Sequence, residues 1–243
     1  MCLLLVLRGR FASHPVLVAG NRDERTDRKS SPPGLWVGQH ERALSPRDRE
    51  KGGTWMCVSK RGMFAGLTNW SRTTVPDGAA TRGDLPHLAI DAGSIAGAEA
   101  AVATAMAQRA FGGFQLVLAD RERIVVLRHR GAGLERMDWT DELLVVTNEH
   151  GPAELQLPGM AAACEPRATP EEQLEALRPL LLDDGAGVRH PVLKRGASYG
   201  TVSSSLVAVP SLDPLQLQWR YAAGRPDETA YMNYGNLGRR LLD

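Results

Sequence analysis

Residues 1–24 read MCLLLVLRGRFASHPVLVAGNRDE, and no other part of the chain constrains the architecture as strongly. Two short apolar runs, residues 2–7 and 16–18, flank a connection that contains the pair His14-Pro15. Apolar runs bounded by turn-forming residues predict two strands joined by a tight connection. We therefore expect the amino terminus to lie in a sheet, with Cys2 at the start of its first strand.

Further along the chain, paired apolar runs with turn residues between them are typical of antiparallel hairpins. The segment 21–50 carries dense charge and the pair Pro32-Pro33 without periodicity, which predicts a loop. The predicted hairpins and one further strand cover residues 54–59 with 63–68, 114–119 with 124–129, 205–209 with 215–221, and 143–147.

Two helices are indicated by capping residues. Ser94 can cap an alanine-rich segment that runs to about Ala110. The tetrapeptide Thr169-Pro170-Glu171-Glu172 combines a capping Thr, a Pro at the first helical position and a Glu at the third, and its helix is expected to end near residues 183–185. Consecutive hairpins with few helices between them predict an α+β protein in which helices cover antiparallel sheets. At this length we expect a single domain over residues 1–243.

Charge and composition limit the classes of partner that the protein is expected to bind. The chain has 29 Lys and Arg against 28 Asp and Glu, a formal net charge of +1, so no strong field attracts nucleic acid or an anionic membrane surface. The apolar run at residues 2–7 is too short for a signal-peptide core or a membrane span. We expect a cytoplasmic protein that acts on a small molecule and can form a homo-oligomer.

The three cysteines are odd in number and lack metal-ligand spacing, which predicts three free thiols. The histidines are scattered and include no pair at metal-binding spacing, so we expect neither a metal site nor a resident cofactor. These residues are Cys2, Cys57 and Cys164, and His14, His40, His87, His129, His150 and His190.

Cys2 is singled out by its position. Removal of Met1 would leave Cys2 with a free α-amine, so that one residue carries a nucleophilic thiol and the base that accepts its proton. The reference pKa values of the amine, about 7.7 to 8.0, and of the thiol, about 8.5, are close enough for proton exchange near neutral pH. The alternative is that Cys2 is only a small apolar residue at the start of a strand.

A set of motifs in order along the chain resembles the NRDE family, also called the transport and Golgi organisation family. The motifs are Met1-Cys2, Asn21-Arg22-Asp23-Glu24, Gly52-Gly53-Thr54-Trp55, Gly66-Leu67-Thr68-Asn69-Trp70, Arg82-Gly83-Asp84-Leu85, Gly113-Phe114, Thr147-Asn148 and Tyr199-Gly200-Thr201. That family is similar to the choloylglycine hydrolase and penicillin acylase branch of N-terminal-nucleophile hydrolases. The resemblance implies a four-layer αββα sandwich of two antiparallel sheets.

The resemblance also implies a catalytic set made of Cys2, Arg22, Asp23, Asn69 and Asn148. Arg22 would favour the thiolate of Cys2, and Asp23 would accept hydrogen bonds from the new α-ammonium. Asn69 would stabilise the oxyanion of a tetrahedral intermediate.

Asn148, the last member of the catalytic set, would orient the amine or the substrate. Asn21 and Trp70 are predicted binding residues that contact the substrate. The family commonly has an arginine where this chain has Val202, so the contact made by that arginine is absent.

Two functions from different classes remain open. The first is a hydrolase that cleaves a linear amide or related acyl bond through a Cys2 thioester. The second is a non-enzymatic protein on the same fold that handles haem or lipid, with haem as a possible ligand of the Cys2 thiolate. The sequence does not name the substrate in either case.

Overall fold

The computed structural model describes residues 2–185 and 191–242. Met1, whose removal we expect, and His190 lie outside these residues. The strands are β1 (Leu3–Arg8), β2 (Val16–Arg25), β3 (Ser30–Val37), β4 (Arg42–Asp48), β5 (Met56–Ser59), β6 (Phe64–Asn69), β7 (Phe114–Ala119), β8 (Ile124–His129), β9 (Glu135–Trp139), β10 (Leu143–Thr147), β11 (Tyr199–Val209), β12 (Gln218–Ala222) and β13 (Met232–Asn233). The α-helices are α1 (Asp84–Asp91), α2 (Ile95–Gln108), α3 (Met160–Cys164) and α4 (Pro170–Leu177), and 3-10 helices cover Arg178–Leu182, Pro214–Gln216 and Gly235–Leu241.

These strands form two antiparallel sheets. One has the order β10-β1-β2-β11-β12-β13, and the other has the order β3-β4-β5-β6-β7-β8-β9. Strand β1 pairs with β10 on one side, where Leu3 lies opposite Thr147, and with β2 on the other, where Leu3 lies opposite Asn21. The amino-terminal strand therefore lies in a sheet, as predicted, and the structure adds β10 as its second neighbour.

The side chains of β1 alternate between two cores, which explains why this strand is apolar throughout. Leu4 and Val6 belong to the core between the two sheets. Leu3, Leu5 and Leu7 pack on the opposite face, in a core shared with side chains of α4 and the following 3-10 helix. Complete burial of each such side chain stabilises the fold by about 1.5–3 kcal/mol. A run without polar alternation is expected for a strand buried on both faces.

The second sheet is covered in the same way. Cys57 and Leu116 point away from the first sheet and pack against Leu85 of α1 and Val102 of α2. The order of layers is thus helix, sheet, sheet, helix, the predicted four-layer αββα sandwich. None of the helices in residues 2–185 and 191–242 is long and apolar enough to cross a membrane.

Both predicted helices are confirmed. The Oγ of Ser94 accepts a hydrogen bond from the Gly97 amide at 3.1 Å, and α2 ends at Gln108. The Oγ1 of Thr169 accepts from the Glu172 amide at 3.2 Å. Helix α4 then continues as a 3-10 helix to Leu182, close to the predicted end.

The loop predicted for residues 21–50 is wrong, because this segment holds the end of β2 and all of β3 and β4. Strand β2 stays paired with β11 as far as Arg25, which lies opposite Tyr199. Strand β3 is at the edge of its sheet, where proline costs little because the missing N–H would face away from the ladder. The register shift between Ser31 and Gly34 brackets the two prolines. Residues 21–25 are consequently fixed on a strand and not carried on a loop.

Candidate active site

A cleft of about 590 Å³, including its open mouth, lies where β1 begins. Residues from both sheets contribute to it, because β1 and β2 belong to one sheet while β6 belongs to the other. Its lining includes four residues of the predicted catalytic set, Cys2, Arg22, Asp23 and Asn69. The other lining residues are Glu24, Arg28, Asp48, Lys51, Gly53, Thr54, Trp55, Leu67, Thr81, Arg82 and Gly83.

The thiol of Cys2 is half-buried and donates a long hydrogen bond, 3.7 Å, to the backbone carbonyl of Asp23. Burial raises the pKa of the Cys2 thiol, and the negative charge of Asp23 raises it further. Arg22 acts in the opposite direction, as expected, but its effect is smaller. The thiol is therefore protonated at neutral pH, and a base is needed before it can attack a carbonyl.

Arg22 is 5% exposed and firmly held. Its Nη2 donates to Oδ2 of Asp48 at 2.9 Å, and its guanidinium carbon lies 4.6 Å from the centre of the Trp55 ring. Its Nη1 is buried and has no hydrogen-bond partner among the described residues. The side chain thus combines a fixed position with a donor that a bound group could use.

Asp23 contacts the site through both its side chain and its backbone. Its Oδ1 accepts a hydrogen bond from Oγ1 of Thr201 at 2.7 Å, which fixes the carboxyl group against β11. Its backbone carbonyl accepts from the Tyr199 hydroxyl at 3.2 Å as well as from the Cys2 thiol. Burial raises the pKa of the Asp23 carboxyl. A nearby cationic amine would favour its ionised form.

Asn69 is the last residue of β6 and pairs with Phe114 of β7. Its neighbour Leu67 also lines the cleft, as alternation along a strand requires. Asn69 is half-buried and brings a side-chain amide from the second sheet to the cleft that contains Cys2.

Asn148 does not line the cleft. It directly follows β10, the strand that pairs with β1. Leu3 pairs with Thr147, so Cys2 and Asn148 occupy the next positions on adjacent strands. The Asn148 carbonyl accepts from both the amide and the hydroxyl of Ser71, at 2.9 and 3.0 Å. Its side-chain Oδ1 is buried without a hydrogen-bond partner among the described residues. An acceptor is therefore held next to the start of β1.

Asn21 and Trp70 lie outside the lining of the cleft. The Nδ2 of Asn21 donates to the Leu181 carbonyl at 2.8 Å, on the helix-covered face of the first sheet. Trp70 is 5% exposed, with the Arg128 guanidinium 5.8 Å from its ring centre. These contacts tie the two side chains into the fold, and their contact with substrate stays a prediction. Val202 lines a neighbouring depression and not this cleft.

Two glycines, Gly53 and Gly83, form part of the cleft wall. Neither was assigned a role from the sequence. A Cβ on Gly53 would lie 2.5 Å from the carbonyl carbon of Gly83, so the two backbones approach too closely for any side chain at residue 53. The Thr54 amide donates to the Gly83 carbonyl at 2.9 Å and locks this approach. Because glycine allows two backbones to approach closely, the glycines of the Gly52-Gly53-Thr54-Trp55 and Arg82-Gly83-Asp84-Leu85 motifs could have indicated this contact.

Two cysteines, Cys57 and Cys164, lie outside the cleft. Cys57 is a buried free thiol, and Cys164 is a half-buried free thiol, as predicted. Burial raises the pKa of both. Among residues 2–185 and 191–242, no group of three or more His, Cys, Asp or Glu side chains is arranged to hold a metal ion.

Comparisons with known proteins agree with this architecture. The family model for "Transport and Golgi organisation 2" matches residues 1–163. The human "Transport and Golgi organization protein 2 homolog" is 33% identical over 132 residues, 49% of this chain and 45% of that protein, and the bovine homologue is 32% identical over the same length. The chain thus spans about half the length of these relatives.

A solved structure shows the same fold. The Caenorhabditis elegans orthologue of N-acylethanolamine-hydrolyzing acid amidase superposes with a TM-score of 0.50 over 85% of this chain and 92% of that one, at 13% identity. At this level of identity the likeness concerns the arrangement of sheets and helices.

Proposed function

Because the chain belongs to the Transport and Golgi organisation 2 family, we propose that it is an N-terminal-cysteine hydrolase that cleaves a linear amide or related acyl bond through a Cys2 thioester. One observation carries the proposal. Cys2 directly precedes β1, Arg22 and Asp23 lie on β2 of the same sheet, Asn69 ends β6 of the other sheet, and all four line the same cleft. A nucleophile, two charged groups and an amide donor in one cleft are the parts that acyl transfer requires.

The first step needs the free α-amine that removal of Met1 creates. Since the pKa of the Cys2 thiol is raised, Arg22 alone does not supply a thiolate, and the amine acts as the base. It takes the thiol proton while the sulfur forms a bond to the acyl carbon. Asp23, next to Cys2, holds the resulting ammonium by charge and hydrogen bonding.

The second step releases the first product. As the carbonyl carbon becomes tetrahedral, its oxygen gains a negative charge that the Asn69 side-chain N–H stabilises. The bond to the leaving group then breaks, and the α-ammonium returns its proton to the departing amine. Water subsequently attacks the Cys2 thioester, which releases the acid and restores the thiol. The buried Oδ1 of Asn148 is suited to orient the α-amine.

Arg22 has a supporting role in this scheme. Asp48 and the Trp55 ring hold its guanidinium in place, and its Nη1 donor can bind the substrate or the oxyanion. Polar and charged side chains make up most of the cleft lining. This lining suits an amide better than it suits haem, whose broad apolar surface needs apolar walls. The haem- or lipid-handling function is the weaker proposal.

The test uses intact mass on protein purified from its native host and then incubated with a panel of N-acyl amides. We expect mass values that show the loss of Met1 and a transient acyl adduct, and peptide mapping should place the adduct on Cys2. A Cys2→Ala variant tests whether the adduct needs a nucleophile at this position, and Cys164→Ala is the matched control for loss of a half-buried thiol. Full retention of Met1, or an adduct that survives in Cys2→Ala, would exclude this mechanism.

A further inference from the structure

Arg82 is a cleft residue that forms no ion pair among the residues that the structure describes. It lies just before α1, lines the same cleft as Cys2 and is half-buried. Its Nη1 donates to the Gly113 carbonyl at 2.9 Å, which fixes the guanidinium. No carboxylate of the described residues lies within ion-pair distance, 4.0 Å, of Arg82. Burial lowers the pKa of Arg82, and the positive charge of Arg28 adds to this effect, while the negative charge of Glu24 offsets only part of it.

The other buried arginine of the cleft, Arg22, shows what a compensated cation looks like here. Asp48 accepts hydrogen bonds from Arg22 at 2.9 Å and from Arg28 at 2.8 Å. Glu24 accepts from Arg28 at 3.0 Å. The Asp48 and Glu24 carboxylates of the lining thus form ion pairs with Arg22 and Arg28. Neither carboxylate lies within ion-pair distance of Arg82.

A second cation, also without an ion pair to a described carboxylate, stands at the mouth. Lys51 is exposed, lines the cleft and makes no ion pair with a carboxylate of residues 2–185 or 191–242. The cleft contains four cationic side chains, Arg22, Arg28, Lys51 and Arg82, and three carboxylates, Asp23, Glu24 and Asp48. The segments that carry Lys51 and Arg82 are adjacent, since the Thr54 amide donates to the Gly83 carbonyl at 2.9 Å, and this part of the lining carries the excess positive charge.

We propose that Arg82, assisted by Lys51, binds an anionic group of the substrate, with a carboxylate as the best match. The identity of the reacting bond rests on the proposed function, whereas the attraction of an anion to this wall does not. The N–H groups of Arg82 that face the cleft can form charge-assisted hydrogen bonds with a planar carboxylate. N-acyl amino acids combine such a carboxylate with an amide a few bonds away, so their acyl carbon could reach Cys2.

The experiment uses Cys2 itself as the reporter and two small probes of nearly equal shape, iodoacetate and iodoacetamide. In both, the thiolate sulfur displaces iodide from carbon, but only iodoacetate carries a carboxylate. Timed alkylation of the Met1-free protein at pH 8.5 is followed by peptide-resolved mass spectrometry. Cys164 in the same sample is the reference for the intrinsic reactivity of the two reagents.

We expect the iodoacetate-to-iodoacetamide rate ratio at Cys2 to exceed that at Cys164 by roughly five- to tenfold at low salt, the scale of one nearby charge pair in partly solvated surroundings. Salt should reduce this preference. Arg82→Gln should remove most of it, Arg82→Lys should keep it, and Lys51→Gln should reduce it less. Arg121→Gln, on an exposed turn outside the cleft, is the charge-matched control and should leave it unchanged.

The outcomes separate this proposal from the hydrolase proposal. An unchanged ratio in both Arg82→Gln and Lys51→Gln would overturn the anion site even if hydrolysis is found. A wild-type rate ratio at Cys2 no higher than the ratio at Cys164 would overturn it too, because the cleft would then not attract a small anion. Comparison of N-octanoylglycine with N-octanoylglycinamide then tests turnover. If neither is cleaved while the alkylation preference holds, the anion site stands and the hydrolase proposal is weakened.

Discussion

At the scale of single residues, Asn69 has the clearest assignment, because its side chain lines the cleft and makes no hydrogen bond with another described residue. We predict that Asn69→Ala stays folded but lowers turnover about 100- to 1,000-fold, the usual cost of removing one oxyanion donor. Steady-state kinetics on a substrate found in the adduct screen would measure the effect, which should fall on kcat more than on KM.

Asn236→Ala is the matched control, since Asn236 is an exposed asparagine that does not line the cleft. It should leave turnover unchanged. Wild-type turnover in Asn69→Ala would mean that Asn69 only ends its strand. A fall in melting temperature as large as that of a core substitution would instead indicate a structural role.

At the scale of secondary-structure elements, His87 ties α1 to the edge of the second sheet. Its Nε2 lies 2.9 Å from Oγ of Ser45 in β4, and its ring stacks on Trp36 of β3 with centres 4.3 Å apart. Burial, reinforced by Arg47, lowers the pKa of His87 to about 4. The helix is thus packed on the sheet through a neutral imidazole.

This shift predicts that acid weakens the fold. Between pH 6.5 and 4 the unfolded chain binds a proton at His87 that the folded chain does not, so stability is complete above about pH 6.5 and falls as the pH decreases toward 4. The loss is on the order of 3 kcal/mol at most. Urea unfolding at several pH values should show a flatter pH dependence for His87→Gln than for wild type. His40→Gln, at an exposed histidine, is the control, and equal slopes in His87→Gln and wild type would contradict the prediction.

At the scale of the whole molecule, the two sheets share one core, to which Leu4 of β1 and Val117 of β7 both contribute. We predict that tryptophan fluorescence and far-UV circular dichroism follow a single urea transition, as a domain over residues 1–243 requires. Leu4→Ala should shift both signals together and destabilise the fold by about 2–5 kcal/mol. Two separate midpoints would show that the sheets unfold independently.

Much of the site was predictable because its parts are local. The apolar runs predicted the strands that carry Cys2 and Asn69, and the capping residues Ser94 and Thr169 predicted two helices. The loop predicted for residues 21–50 was wrong, because it was based on their charge density. The pairing that keeps residues 21–25 on a strand comes from a distant partner, β11. Local propensity does not include that pairing.

By itself, the sequence determined the antiparallel class of the fold and the side chains that are candidates for the site. Only the tertiary structure decided which of the candidates share a cleft. Asn21 and Arg22 are neighbours, yet Asn21 bonds to Leu181 under the helices while Arg22 lines the cleft. Alternation along a strand separates two adjacent side chains, but which face meets the cleft depends on how the layers pack. The same packing places Arg82 in the cleft of Cys2 without an ion pair to a described carboxylate, because ion pairing depends on distances that no local pattern encodes.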